Sequence, residues 1–235
     1  MVASIVAAVL AACAVPAARP PVHEAPPPAG FPDAFYQQMA QRGGRVLQIE
    51  PAASLVTIEV RRTGSLANLG HDHVVASHDV RGYVAPNDGR ADLYIRLDQL
   101  VVDEPDLRAK AAFDTQPSEA AIAGTRENML GKFNAERHPY AVISVTGLVT
   151  DAAGTRLADA SITLNGTART MRIPAKIEQG ANGLTVTGQV ALEQTAFGIT
   201  PFSILGGALQ VQDRVDVRFE IRAGRLSNAA TTPAP

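Results

Sequence analysis

The chain has 235 residues, enough for one sizeable all-β domain with a short appendage. Its formal charge is −2, with acidic and basic residues intermingled and no basic stripe, which argues against nucleic acid as a partner. Tryptophan is absent, aromatics make up 5%, and there is one cysteine, so aliphatic side chains must build the core and no intramolecular disulfide can staple it.

The first twelve residues are small and apolar. They are too short to span a bilayer and have the character of a secretory h-region, so 1–12 is read as a signal peptide. The run ends in Leu10-Ala11-Ala12-Cys13. This resembles the lipobox of bacterial lipoproteins, in which cleavage precedes a cysteine that is then acylated. Cys13 is thus the expected acylation site and the expected attachment to a membrane. No Lys or Arg opens the segment, unlike an ordinary signal. Residues 13–44 are rich in Pro and Ala and read as a lipid-anchored tether. A short helix is expected from Asp33 to Arg42, ended by Gly43-Gly44.

From residue 45 to 223 apolar residues alternate with polar ones, the signature of strands with one buried face. Val215, Val217, Phe219 and Ile221 alternate with Arg214, Asp216, Arg218, Glu220 and Arg222. Val56, Ile58 and Val60 repeat the pattern, as do Leu93, Ile95 and Leu97, then Ile162 and Leu164, then Leu184, Val186, Val190 and Leu192. Turn sequences such as Pro86-Asn87-Asp88-Gly89 and Asp151-Ala152-Ala153-Gly154 separate them. Such strands suit an antiparallel sheet, and about eight of them can close into a barrel that removes exposed edges. One stretch has helical spacing instead: Ile122, Arg126, Met129, Leu130 and Phe133. Its start falls between Thr115 and Ser118, its end near Phe133, and it is expected to cover an open end of the barrel. Residues 224–235 read as a disordered tail.

Several motifs, taken in order, resemble the YceI-like family of lipocalin-like, polyisoprenoid-binding proteins. These are the opening Gln48-Ile49-Glu50-Pro51-Ala52-Ala53-Ser54-Leu55-Val56, then His138-Pro139-Tyr140, then Leu164-Asn165-Gly166-Thr167-Ala168-Arg169, then Phe197-Gly198-Ile199. Glu50 and Ala53 replace the family's signature Asp and His. Gly70-His71-Asp72-His73 resembles an element found in one branch. The resemblance implies an all-β, eight-stranded antiparallel lipocalin-like barrel with one short amphipathic helix near its mouth. It also implies binding or carriage of a long-chain amphiphilic lipid, isoprenoid or isoprenoid-quinone-like, in the bacterial cell envelope. The expected location is the periplasm, or an outer-membrane anchor facing it. No cofactor is required, and a homodimer is left open.

The expected lipid-lining side chains are Val56, Ile58, Val60, Phe133, Ile162, Leu164, Phe197, Val217 and Phe219. Head-group candidates are His71, His73, Arg126 and Arg169. On a strand His71 and His73 would share a face, which suggests an alternative: a metal- or stress-linked binding module using both rings. A third ligand is not evident in the sequence. The plainer reading gives these histidines carboxylate partners at a rim, with Asp72, Asp79 and Glu104 as candidates. Asp103-Glu104 reads as solvated charge at a turn. No Gly-x-Ser-x-Gly elbow or His-Glu-x-x-His is present, so an enzyme is not expected.

Overall fold

The structure, a computed structural model, describes residues 26–180 and 182–226. The signal, Cys13 and residues 227–235 lie outside the described residues.

Twelve strands form one antiparallel sheet: β1 (Leu47–Ile49), β2 (Leu55–Thr63), β3 (His73–Ser77), β4 (Val80–Ala85), β5 (Arg90–Arg96), β6 (Val101–Val102), β7 (Tyr140–Thr150), β8 (Arg156–Leu164), β9 (Thr167–Gln179), β10 (Gly183–Glu193), β11 (Ser203–Ile204) and β12 (Leu209–Arg225). Their order shows why twelve strands make eight staves. β1 and β2 are one stave interrupted at Pro51–Ala53; β3 and β4 are one broken at His78-Asp79; β5 and β6 are one broken at Leu97–Gln99. Staves β7 to β10 follow as a meander. β12 closes the barrel by pairing with β10 on one side, and with β2 and then β1 on the other. Closure gives each of the long staves a neighbour on both sides; the short β6 and β11 each pair on one side only. The eight-stranded antiparallel barrel expected from the alternation is the fold found. β12 runs two residues past Ala223, with Gly224 opposite Gln48 and Arg225 opposite Leu47, so the expected tail begins too early by two residues.

Among the described residues, three α-helices decorate the barrel. α1 (Asp33–Gln41) lies in the region read as tether, yet it is docked. Tyr36 is fully buried, its hydroxyl donates to Asp92 Oδ2 at 2.7 Å, and its ring stacks on Tyr83. Phe31 packs edge-on against Tyr94, and Tyr140 Oη donates to the carbonyl of Pro26. The body therefore extends well before residue 45. α2 (Pro105–Lys110) has no apolar period to announce it. It starts with Pro105 in the first turn, with Asp106 near its positive end and Arg108 and Lys110 near its negative end. α3 (Glu119–Lys132) begins where Ser118 accepts a hydrogen bond from the Ala121 amide.

Inside, two packed clusters fill much of the barrel. One gathers Leu47, Ile49, Val80, Ile95, Leu184 and Ile221 with their neighbours and receives Ile122, Met129, Leu130 and Phe133 from α3. The other gathers Ala160, Ile162, Ile173, Phe197 and Ile199. Phe133, Leu164 and Phe219 touch both.

Candidate functional site

The barrel is filled at one end and hollow at the other. Between α3 and the ends of β2, β3, β10 and β12 lies a partly open cavity of about 340 Å³. Ligand pockets commonly run from roughly 300 to 1,000 Å³, so this space is at the small end. Ile58, Val60, Val75, Val215 and Val217 form one wall, and Leu164, Leu192, Phe197 and Ile199 another. α3 roofs it with Ala121, Gly124, Thr125, Asn128, Met129, Lys132 and Phe133. A larger hollow of about 820 Å³ crosses the outside of the barrel over Thr57, Lys176, Thr187, Gln189, Arg218 and Glu220. That one is a wide-open trough on the outer face with charged residues on its walls, so the more sheltered and more apolar interior cavity is the better place for an apolar guest.

Six of the nine expected lining residues do line it: Ile58, Val60, Phe133, Leu164, Phe197 and Val217. Val56, Ile162 and Phe219 point inward as expected but pack into the clusters below. Alternation fixes the face a side chain takes. It cannot fix whether facing side chains meet.

The cavity has one built polar feature. His73 projects into it from β3, the inward parity shared by Val75. Its Nδ1 lies 2.6 Å from Asp103 Oδ2. The other oxygen of Asp103 accepts from the Val74 amide at 3.0 Å and from Arg108 at 2.6 Å. Asp103 and Arg108 are 4% and 3% exposed, so this is a buried ion pair, not solvated charge at a turn. Burial pushes the Asp103 carboxyl up. Hydrogen bonds from His73, the Val74 amide and Arg108, with the charge of His73, outweigh it and hold the group below the usual carboxylate range. Asp103 has φ +58°, a left-handed conformation that Asp tolerates better than most side chains. An ionised Asp103 fixes the proton of neutral His73 on Nδ1, which leaves Nε2 as an acceptor facing the cavity. Thr125 Oγ1 stands 3.5 Å from that nitrogen.

The remaining head-group candidates fall elsewhere. His71 precedes β3, its ring edge-on to His73 with centroids 6.2 Å apart, and it does not line the cavity. Its Nδ1 is buried with no hydrogen-bond partner. Arg126 sits on α3 but turns its guanidinium to the carbonyl of Asp98. Arg169 is exposed near the start of β9 and folds back onto the carbonyl of Ala168. The two-histidine metal arrangement gains no third ligand, since among the described residues no group of three or more His, Cys, Asp or Glu could hold an ion. Glu104 does partner a histidine, His78, at 2.6 Å. Asp72 instead accepts from the Arg62 amide, and Asp79 from Arg81. Asp103 and Arg108 carry no spacing signal toward His73, because they lie 30 and 35 positions away.

A family model, described as the YceI-like domain, matches residues 47–223. Two solved structures share the fold. The crystal structure of Burkholderia cenocepacia BcnA aligns with TM-score 0.51 at 16% identity, over 74% of this chain and 98% of that one. A polyisoprenoid binding domain from Saccharophagus degradans, implicated in plant cell wall breakdown, aligns with TM-score 0.52 at 14% identity, over 77% and 98%. No curated protein matches.

Proposed function

The chain belongs to the YceI-like family, and from that premise we propose that it binds or carries a long-chain amphiphilic lipid, isoprenoid or isoprenoid-quinone-like, in the hollow end of its barrel. The observation that carries this reading is a predominantly apolar interior cavity with a rigidly held polar group, His73, on its wall. Each methylene buried there contributes about 0.8 kcal/mol before ordering costs. Phe133 lines the cavity and also packs against both clusters, so it lies between them. A chain longer than the present space must displace this ring. His73 supplies orientation: its Nε2 accepts from a hydroxyl, or donates to a carbonyl or anion once protonated. Lys132, Asn128 and Thr125 add polar atoms on the α3 side.

The arrangement favours recognition over catalysis. A base with a buried orienting carboxylate is half of a nucleophilic relay. The Thr125 hydroxyl at 3.5 Å stands beyond the roughly 2.6–3.2 Å of an activated nucleophile. The cell setting is part of the proposal: an acyl group on Cys13 would hold the barrel at a periplasmic membrane face.

Native mass spectrometry of protein purified from its own envelope tests the reading. Wild type is expected to carry a lipid-sized mass that His73→Ala reduces, together with an acylated N-terminal cysteine. Protein that arrives without lipid and takes none from an envelope lipid extract would remove the reading.

A further inference from the structure

Two loops at the hollow end share an unusual composition. Residues 63–70 and 194–212 contain no Asp, Glu, Lys or Arg, in a chain of which 19% is charged. They are also in contact. The Leu66 amide donates to the Ala208 carbonyl at 2.8 Å. Gly64, at φ +100°, lies so near that a Cβ there would stand 2.4 Å from the same oxygen. The result is one uncharged tip. Its apolar side chains face outward: Leu69 exposes 66% of its surface, Leu205 68% and Ile204 42%. Leu205 adopts φ +52°, a conformation leucine rarely takes, so the turn holds this side chain out against its own backbone preference. The same loop supplies Phe202 and Val211 to the cavity wall. The apolar lining therefore continues outward onto the tip.

We propose that this tip docks on a lipid bilayer, with Leu69, Ile204 and Leu205 entering the headgroup boundary and the cavity mouth turned toward the membrane. An apolar tip without charge fits that occupant, because insertion strands no ion in a low-dielectric layer. A charged protein partner would find nothing to pair with. The orientation of the mouth rests on the lipid-binding reading; docking itself does not.

The full chain carrying Cys13→Ser, so that no acyl group contributes, is floated with vesicles of equal parts phosphatidylethanolamine and phosphatidylglycerol. Uptake of a fluorescent prenol delivered from cyclodextrin is measured in parallel. The protein is expected to float. Leu69→Asp with Leu205→Asp is expected to weaken vesicle association at least about tenfold, the loss of one buried leucine, while prenol uptake is unchanged. Leu148→Asp, at an exposed leucine near the opposite end, is expected to float like the parent. Failure of the parent to float, or equal flotation of the double variant, overturns the proposal. So does a dimer that the double variant converts to monomer, since the patch would then be a self-contact. Flotation lost only in the double variant upholds docking even if no protein takes up prenol, and in that case the cavity reading alone fails.

Discussion

Replacing Asp103 by Asn tests the buried assembly behind His73. Asn keeps the shape and tolerates the left-handed backbone at φ +58°, so the change removes charge and little else. Arg108 would stay 3% exposed with its ionic partner gone, its acceptors now all neutral: the carbonyls of Asp72 and Thr115, the Thr115 hydroxyl and the new amide oxygen at 103. Removing one member of a buried pair costs about 3–5 kcal/mol, because the other charge remains desolvated. That is a large part of the roughly 5–15 kcal/mol that holds a domain folded. Urea unfolding at pH 7 reads it directly. The pH dependence follows from sign. The folded-state pKa of Asp103 is depressed, so its stabilisation is complete above the unfolded carboxyl value near 4. It disappears as pH falls from there through the lower folded value. Wild type should therefore approach Asp103→Asn in stability on acidification. Replacing both partners together, Asp103→Asn with Arg108→Met, should cost less than Asp103→Asn alone, because no buried charge is then left unpaired. A loss below about 1 kcal/mol for Asp103→Asn at pH 7, the scale of a hydrated surface pair, would refute the account.

Four further outcomes are expected. Tyr36→Phe should cost about 1–3 kcal/mol, since Asp92, 3% exposed, loses a hydroxyl donor at 2.7 Å; thermal unfolding with limited proteolysis near α1 checks it. Burial and the neighbouring Asp92 push the Tyr36 phenol above its ordinary range, and burial pushes Tyr83 up to about 12. Stability from these phenols is present below about pH 10 and should fall as pH rises above it, visible as delayed phenolate absorbance on alkaline titration. Val217→Phe, which fills the cavity from one wall, should lower bound lipid in native mass spectra without lowering the unfolding temperature; unchanged occupancy would place the ligand elsewhere. Gly188→Ala should destabilise by about 1–3 kcal/mol in urea titrations, because the new Cβ would come 2.4 Å from the Pro174 carbonyl and 2.5 Å from the Phe219 ring.

The barrel was readable because its signal is local. Val215, Val217, Phe219 and Ile221 are separated by charged residues that pair along the outer face, Arg214 with Asp216 and Arg222 with Glu220. α3 showed its period through Ile122, Met129 and Phe133. The site was only half readable. His73 stood out because histidines are few, but its partners are remote in sequence, and Asp103 beside Glu104 looked like ordinary turn charge. Burial by α2, a six-residue helix with no apolar rhythm, changed its meaning. Arg126 and Arg169 failed as head-group ligands because each had a carbonyl within easier reach. Volume was unreadable as well: Val56 and Val60 share a face of β2, yet one is core and the other cavity wall.

The seam formed by β12 sets a timetable. Staves β7 to β10 join neighbours through short turns and can assemble as soon as each emerges. The seam instead binds residues synthesised far apart, as when the Ser54 hydroxyl meets the Arg222 carbonyl across 168 positions. Until residues 209–225 arrive, the nascent molecule is an incomplete cylinder with two sticky rims, able to zip onto another copy of itself. Such a protein gains from being kept unfolded by a chaperone until its final strand is available.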